Sequence, residues 1–164
     1  MIYIFFGAAL IIIFFLVKRV LKKGKINKPP EVLSVSQDIY WRVEEETLLK
    51  QINIYRKENN LPFLQQTDDL YRLAGIRVKK WIKLGYNEND NFHNFFFQDR
   101  QPYMDKGYIN ISENASYKYK YVFYAWKKSE GHNNNILTKD WKYAGISIKY
   151  NSDGIKYVCL VLGK

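Results

Sequence analysis

The chain has 164 residues, of which 47% are apolar and 17% aromatic, so it can bury the core of one domain and no more. Its formal net charge is +10, but the first 30 residues hold six basic residues and no acidic ones. The remaining 134 residues carry 20 basic and 16 acidic side chains, so they are only mildly basic. A single cysteine, Cys159, excludes an intrachain disulfide framework and is expected to be a small core residue.

The first 17 residues, MIYIFFGAALIIIFFLV, carry no charge and predict a transmembrane helix. At ~1.5 Å per residue this run nearly spans a hydrocarbon core of about 30 Å, and Lys18 and Arg19 can reach the interface to complete the span. A cleaved signal peptide is disfavoured, because no basic residues precede the run and no small-residue cleavage site follows it. We therefore expect a retained single-pass anchor over residues 1–21.

Residues 22–39 are predicted to form a basic juxtamembrane linker, since Gly24 and the pair Pro29 and Pro30 interrupt a stretch without a strong period. Its lysines act as a topology signal in the simplest interpretation, and binding of anionic lipid is the alternative. Because all the flanking basic charge lies after the apolar run, the positive-inside tendency places the following domain in the cytoplasm. That domain is predicted over residues 40–164.

Two amphipathic helices are predicted at the start of this domain. Apolar residues spaced three and four apart indicate the first helix over residues 38–59. Thr67 is expected to cap the second, over residues 67–85, with Asp68 and Asp69 in its positive first turn. Its predicted buried face consists of Leu70, Leu73, Ala74, Val78 and Trp81.

The second half of the chain predicts fewer regular elements. Residues 86–117 are expected to be irregular, and residues 118–129 to form a short helix that Gly131 ends. Two strands are predicted over residues 141–150 and 154–163, joined by a turn that contains Asp-Gly. Helices before a terminal hairpin predict an α+β class.

Tyrosines and lysines interleave in SYKYKYVFYAWKK, a pattern that also suits stacking on nucleic acid. Helical spacing would instead assign the aromatic residues to the core and the lysines to a solvated face. We therefore expect no nucleic-acid partner.

Four residues are candidates for a shared site: His93, Glu113, Glu130 and His132. Two imidazoles and two carboxylates can bind a divalent metal such as zinc, or act as acid and base, provided that the fold gathers them. Each also has an ordinary explanation, as a surface imidazole or a solvated carboxylate. If Glu130 lies in the last turn of a helix, it opposes the helix dipole at a cost of about 0.3–1 kcal/mol.

Several segments, taken in order, resemble the CAP superfamily, which includes cysteine-rich secretory proteins, plant pathogenesis-related proteins and bacterial members. The resemblance covers residues 40–164, and its most specific part is SEGHNNNIL followed by an Ala-Gly-Ile strand. The bacterial members commonly lack disulfides, in agreement with the single cysteine. The resembling segments are NIYRKENNLPFL, DDLYRLAGIRVKKW, the isolated His93, SENA, AWKKSEGHNNNIL, WKYAGISI and YVCLVLG.

The resemblance implies a three-layer α-β-α sandwich whose central cavity is lined by two histidines and two glutamates. Matched residue by residue, these are His93, Glu113, Glu130 and His132. The sequence departs from the family pattern nearby without removing any of the four side chains. Ser112 replaces a Gly, Asn133 replaces a common Arg, and Asn94 follows His93 where a Ser is frequent.

Two functions follow from the resemblance, because family members are linked to lipid or sterol binding, to extracellular signalling and to proteolysis. The favoured one is a membrane-anchored binding domain whose cavity holds a lipid, glycan or peptide, with a divalent metal as an optional element. The alternative is a metal-dependent hydrolase or peptidase in which the histidines hold zinc and Glu113 or Glu130 acts as general base. Neither an HExxH helix nor a Gly-x-Ser-x-Gly elbow is present, and Ser129 is better explained as a helix-end hydrogen bonder than as a nucleophile.

The expected location rests on two signals that disagree. Family members are mostly secreted or surface-exposed, which favours an extracytoplasmic domain on a single membrane anchor, against the positive-inside charge. The sequence does not indicate an oligomeric state.

Overall fold

The computed structural model describes residues 31–84 and 94–164. Its contacts divide the chain into two units, Met1–Asp38 and Ile39–Lys164. The strands that the structure describes all lie in the second unit, and the predicted α+β class is confirmed. In chain order the elements are α1 (Glu31–Glu58), β1 (Gln65–Gln66), α2 (Asp68–Leu84), α3 (Asn94–Met104), β2 (Ile111–Tyr117), α4 (Val122–Lys128), α5 (Glu130–Leu137), β3 (Tyr143–Tyr150) and β4 (Lys156–Gly163).

The four strands form one sheet in the order β1-β3-β4-β2. The predicted terminal hairpin is confirmed: β3 and β4 pair antiparallel, and Tyr150 lies opposite Lys156 at its closed end. The Asn151 side-chain oxygen accepts hydrogen bonds from the backbone of Asp153 and Ile155 in the turn, where Gly154 has a φ of +74°. β2 pairs antiparallel with β4 and forms one edge of the sheet.

Helices cover both faces of this sheet. Successive side chains of β3 and β4 point to opposite faces, so these strands contribute to a core on each side. One core joins residues of α1, α4 and α5 to Ile146, Ile148 and Leu160. The other core joins residues of α2 and α3 to Ile111, Cys159 and Val161. The predicted core position of Cys159 is confirmed.

Helix α2 forms as its sequence predicts. The Leu70 amide donates to the Thr67 hydroxyl at 3.4 Å, which is the expected cap. The predicted buried face is confirmed in full, and Arg77 lies on it as well.

Helix α1 begins at Glu31, seven residues before the predicted start. Residues 31–39 of the predicted linker are therefore helical. The sequence from residue 31 to residue 58 contains no Pro or Gly that would break the helix.

The prediction of irregular structure over residues 86–117 is wrong for α3 and β2. Helix α3 contains Pro102, which argued against a helix in the sequence. Strand β2 has the sequence ISENASY, which contains neither an apolar run nor an apolar–polar alternation, so the sequence gives no local signal for a strand.

Within the predicted helix over residues 118–129, α4 covers only Val122–Lys128, and a second helix, α5, begins after Ser129. Ser129 has an extended backbone (φ −87°, ψ 116°), and Gly131 lies inside α5 rather than ending a helix. Because α4 begins only at Val122, Tyr119 and Tyr121 precede it and are exposed. The prediction that the aromatic residues of this segment belong to the core holds for Trp126 but is wrong for these tyrosines.

The predicted membrane anchor over residues 1–21, the start of the linker and His93 lie outside the described residues. Among the helices that the structure describes, none combines the length and the apolar character that a membrane crossing requires.

Candidate functional site: a cleft beside the edge strand

A cleft of about 290 Å³ lies beside β2, between residues of α2 and residues of α4 and α5. Because β2 is an edge strand, side chains from both of its faces reach this cleft. The lining residues are Trp81, Ala115, Ser116, Tyr117, Tyr119, Ala125, Trp126, Ser129 and His132.

His132 is the predicted site residue that the structure places in this cleft. It lies half-buried in the first turn of α5, with its Nδ1 atom 3.0 Å from the Ser129 hydroxyl oxygen. Its ring is tilted by 41° against that of Trp126, with 6.3 Å between the ring centroids. Ser129 makes no side-chain hydrogen bond that caps α5, so the predicted helix-end bond is not observed, and its hydroxyl contacts the imidazole instead.

Two asparagines join the helix of His132 to the edge strand. The Asn114 side-chain amide donates to the backbone oxygen of His132 at 3.0 Å, and Asn135 donates to the Asn114 side-chain oxygen at 2.7 Å. Asn135 also donates to the Glu113 backbone oxygen at 3.3 Å. Since Asn114 is buried, these bonds hold α5, and with it the backbone of His132, against β2.

The Glu113 carboxylate is bound by a buried guanidinium. Arg77 donates through Nε to Oε2 and through Nη2 to Oε1 of Glu113, each at 2.9 Å. Arg77 Nη1 also pairs with Asp99 at 2.6 Å, and Lys80 pairs with the other Asp99 oxygen at 2.8 Å. Burial by itself would lower the pKa of Arg77, but hydrogen bonds and charge interactions with Glu113 and Asp99 outweigh it and raise the pKa above its ordinary value.

Sequence reasoning missed Arg77, although a signal for it was available. Arg77 stands three residues after Ala74 and four before Trp81, in the middle of the apolar face of α2. A cation in that position must be buried and needs an anionic partner. Its side chain is 0% exposed, and that of Glu113 is 3% exposed.

Cys159 approaches the same carboxylate, with Sγ 3.7 Å from Glu113 Oε2. Burial, reinforced by the negative charge of Glu113, raises the pKa of the Cys159 thiol well above its ordinary value. Cys159 is therefore a protonated core residue rather than a reactive thiol.

Glu130 lies exposed in the first turn of α5. The prediction that it opposes a helix dipole is wrong, because α5 begins at Glu130 and its positive end favours a carboxylate. In the part of the chain that the structure describes, no three His, Cys, Asp or Glu side chains are arranged to hold a metal ion. Glu113, Glu130 and His132 thus do not form a metal centre by themselves, and the predicted contribution of His93 lies outside the described residues.

Two of the residues that line the cleft each have a buried polar atom without a hydrogen-bond partner among the described residues: Ser116 Oγ and Trp126 Nε1. Ser116 is 6% exposed and Trp126 is 1% exposed. A buried polar atom without a partner costs about 1–3 kcal/mol, and such atoms are rare in native proteins. Sequence reasoning could not find these two residues, because they belong to different elements, β2 and α4, and line one cleft only in the folded chain.

The fold and the cleft can be compared with known proteins. Residues 49–161 match the family model CAP, the Cysteine-rich secretory protein family. The domain has an α+β fold with helices on both faces of its sheet and a cleft that contains a histidine. Because the family model matches more than half of the chain, the chain belongs to this family. No curated protein matches the sequence.

Three solved structures share the fold. An outer surface protein from Borrelia burgdorferi has a TM-score of 0.65 at 22% identity, over 73% of this chain and 90% of that chain. A cysteine-rich secretory protein from Staphylococcus aureus has a TM-score of 0.61 at 16% identity, over 74% of this chain and 38% of that chain. An extracellular protein with an SCP domain from Bacillus anthracis has a TM-score of 0.63 at 21% identity, over 75% of this chain and 41% of that chain.

Proposed function

We propose that the protein is a membrane-anchored binding domain that holds a ligand in the cleft beside His132. The observation that carries this proposal is the pairing of Glu113 with Arg77 through both carboxylate oxygens. A general base needs an oxygen that is free within hydrogen-bond reach of the substrate, whereas both carboxylate oxygens of Glu113 already accept from Arg77. The described residues that line the cleft offer groups that can bind a ligand and do not include Glu113.

The lining of the cleft supports binding in a second way. Hydroxyls, an imidazole and an indole N–H lie among aromatic side chains, which is the usual composition of a small-ligand site. The ligand classes that the family resemblance offers are a lipid, a glycan or a peptide.

The second candidate is a metal-dependent hydrolase or peptidase, and the position of His132 in the cleft is the observation that favours it. His93 and His132 would hold a divalent ion such as zinc, which supplies Lewis acidity and lowers the pKa of water when bound. In that case Glu113 would have to leave Arg77, or Glu130 would have to turn inward from the surface.

The proposed location is extracytoplasmic, on a single helix over residues 1–21. The names of two fold relatives support it, because one is an outer surface protein and another is an extracellular protein.

Thermal unfolding of the full chain in detergent, with a panel of glycans, peptides and lipids, tests the binding function. A ligand that binds only the folded state stabilises it by RT ln(1 + [L]/Kd), so Tm rises with the logarithm of the ligand concentration once that concentration exceeds Kd. We expect a rise that disappears in His132→Ala and persists in Glu130→Ala, an exposed control on the same helix. No rise with any ligand for a folded protein would overturn the proposal.

Zinc calorimetry on the same protein distinguishes the second candidate. The hydrolase would be favoured over the binding domain by two results together. These are zinc binding that is lost in both His93→Ala and His132→Ala, and zinc-dependent turnover of peptide or ester substrates. Under the binding proposal, we expect no turnover above that of the His132→Ala protein.

A further inference from the structure

The hydrogen bonds at the two ends of β2 show which of its backbone groups face outward. Asn110 and Lys164 exchange backbone hydrogen bonds at 3.4 and 3.1 Å, and the Lys118 amide donates to the Lys156 carbonyl at 2.9 Å. Both contacts continue the register of the β2–β4 pair. Because backbone groups alternate in direction along an antiparallel strand, those of residues 112, 114 and 116 face β4, and those of residues 111, 113, 115 and 117 face outward. Among the strands that the structure describes, none lies beside this outer edge.

Side chains cover the first two outward positions of this edge but not the third. The Ile111 carbonyl accepts a hydrogen bond from Arg100 at 2.6 Å, and the Glu113 carbonyl accepts one from Asn135 at 3.3 Å. Within the described ranges, neither the N–H nor the C=O of Ala115 has a hydrogen-bond partner. Ala115 is half-buried and lines the cleft. Proteins usually cover free strand edges, so the uncovered backbone at Ala115 is a place where a further strand can pair.

We propose, on the basis that the cleft is the ligand site, that its ligand is an extended peptide segment that pairs with β2 at Ala115. The N–H and C=O of Ala115 require an acceptor and a donor beside each other in the plane of the sheet, and one residue of a facing strand supplies both. A lipid chain supplies neither. Main-chain pairing of this kind gives affinity, and the side chains of alternate residues give specificity.

The cleft has a wall on each side of this edge. Trp81 of α2 lies on the face that carries the Ala115 side chain, whereas Trp126 and the neighbouring His132 lie on the opposite face. Directly opposed residues of two strands share a face, so the ligand residue opposite Ala115 meets the Trp81 side and its two neighbours meet the other side. We therefore expect an apolar residue at that position and small or polar residues before and after it, next to the imidazole.

The open part of the edge is short. Ala115 and Tyr117 are the outward residues that line the cleft, and at ~3.4 Å per residue they are about 7 Å apart along the strand. The cleft of about 290 Å³ lies at the lower end of the volumes of ligand sites, about 300–1,000 Å³. These dimensions fit a peptide of a few residues rather than a long strand.

The test uses the full chain in detergent with three acetylated and amidated pentapeptides, Thr-Ser-X-Ser-Thr, in which X is Val, Leu or Phe. Each is compared with a form that is N-methylated at every amide, which keeps the side chains and loses every backbone donor. Ala115→Pro removes the outward N–H and blocks the edge, and it costs no β2–β4 hydrogen bond because that N–H faces away from β4. Ala115→Gly keeps the N–H and is the matched control. Affinity is measured by calorimetry.

Hydrogen exchange of the Ala115 amide reports on the same edge directly. Labelling with ¹⁵N-alanine resolves this amide by NMR, and the resonance that is missing in Ala115→Gly assigns it. Ala74, buried inside α2, is the internal reference. We expect the Ala115 amide to exchange faster than the Ala74 amide in the free protein and to become protected when a pentapeptide binds.

We expect at least one unmethylated pentapeptide to bind. Ala115→Pro should weaken its affinity about tenfold or more, and Ala115→Gly should change it by less than about threefold. Peptide binding that is unchanged by Ala115→Pro, or by full N-methylation, would overturn strand pairing. An Ala115 amide that is already protected in the free protein would also overturn it, because another segment or a second copy of the chain would then cover the edge.

Two further outcomes separate this proposal from the proposed function. A folded protein that binds no pentapeptide but binds a glycan or a lipid, with loss of binding in His132→Ala, would overturn the peptide assignment and retain the binding domain. If no pentapeptide and no panel ligand binds the folded protein, both proposals fail.

Discussion

Arg77 pairs with the buried carboxylate of Glu113 and also with Asp99, which Lys80 contacts as well. We expect Arg77→Met to lower the free energy of unfolding by about 3–5 kcal/mol, because it removes the buried cation that both oxygens of Glu113 contact. Urea denaturation at neutral pH measures the change. Arg72→Met, on the exposed side of the same helix, is the control and should change stability by about 0.5 kcal/mol or less.

The double variant Arg77→Met with Glu113→Gln identifies the cause of that loss. Removal of the charge of Glu113 should recover part of the stability, since the remaining amide costs less to bury than a carboxylate. A double variant whose loss equals the sum of the two single losses would show that the pair is not coupled.

The sequence identified the four candidate residues but not their partners. Glu113 was found through its motif, and the alternation of β2 then decides that its side chain shares a face with Ile111 and Ala115, towards α2. Whether a carboxylate on that face is neutralised depends on Arg77, which is 36 residues away in the chain. No local pattern carries that information.

Tyr150 provides a prediction about the dependence of stability on pH. Its hydroxyl donates to Glu44 at 3.0 Å, and burial together with this carboxylate raises the pKa of Tyr150 from 10.0 to about 12. Because the pKa is higher in the folded protein, this contribution to stability is complete below pH 10.0 and is lost as the pH rises through about 12.

Difference absorbance between the wild type and Tyr150→Phe isolates this tyrosinate, which should titrate near pH 12. Glu44→Gln should move the titration back towards 10.0, because it removes the negative acceptor. A difference signal that titrates at the ordinary value in the wild type would contradict the contact.

At the scale of elements, α2 lies directly on β3 at Gly145. A Cβ atom there would lie 2.1 Å from the Leu70 carbonyl carbon and 2.2 Å from the Tyr71 nitrogen, both of which are backbone atoms. We expect Gly145→Ala to cost about 3 kcal/mol, since neither the helix nor the strand can move without disturbing its core. Thermal and urea unfolding measure the effect.

Gly131 is the matched control for this substitution. It lies inside α5, and a Cβ atom there would meet nothing within 4 Å. Gly131→Ala should therefore stabilise the protein by about 0.5–1 kcal/mol, through the lower backbone entropy of the unfolded chain. If both variants lost the same stability, the close approach at Gly145 would not be the cause.

The elements that the sequence predicted well are those with strong local signals. Helix α2 has a cap and an apolar face, and the terminal hairpin has alternating apolar strands around an Asp-Gly turn. β2 and α3 were missed because their signals are tertiary: β2 is a polar edge strand, and α3 forms despite Pro102. The break at Ser129 was also missed, because Gly131 is the residue that local rules select as a helix end.

At the scale of the whole molecule, hydrogen bonds from two positions on α1 hold this helix against the domain core. Arg56 is fully buried and donates to the backbone oxygens of Pro62 at 2.9 Å, Ile136 at 2.6 Å and Thr138 at 2.9 Å. Near the middle of α1, Glu45 accepts a hydrogen bond of 2.8 Å from the amide of Ile148 on β3. The α1 residues from Glu45 to Arg56 are therefore part of the domain.

The location of the domain is the prediction that concerns the whole chain. The six basic residues before residue 30 favour a cytoplasmic domain, but the positive-inside tendency is weak for long segments that are translocated whole. The 125 residues of the proposed domain 40–164 form such a segment, since the strands and both cores lie within it.

We therefore expect alkaline phosphatase fused after Lys164 to be active in bacterial cells and a fluorescent protein that matures only in the cytoplasm to stay dark there. A variant with Lys22, Lys23 and Lys25 changed to Gln is the control, because it should keep or increase the phosphatase activity if charge opposes the observed orientation. Fluorescence without phosphatase activity would place the cleft in the cytoplasm and would direct the ligand search to cytoplasmic molecules.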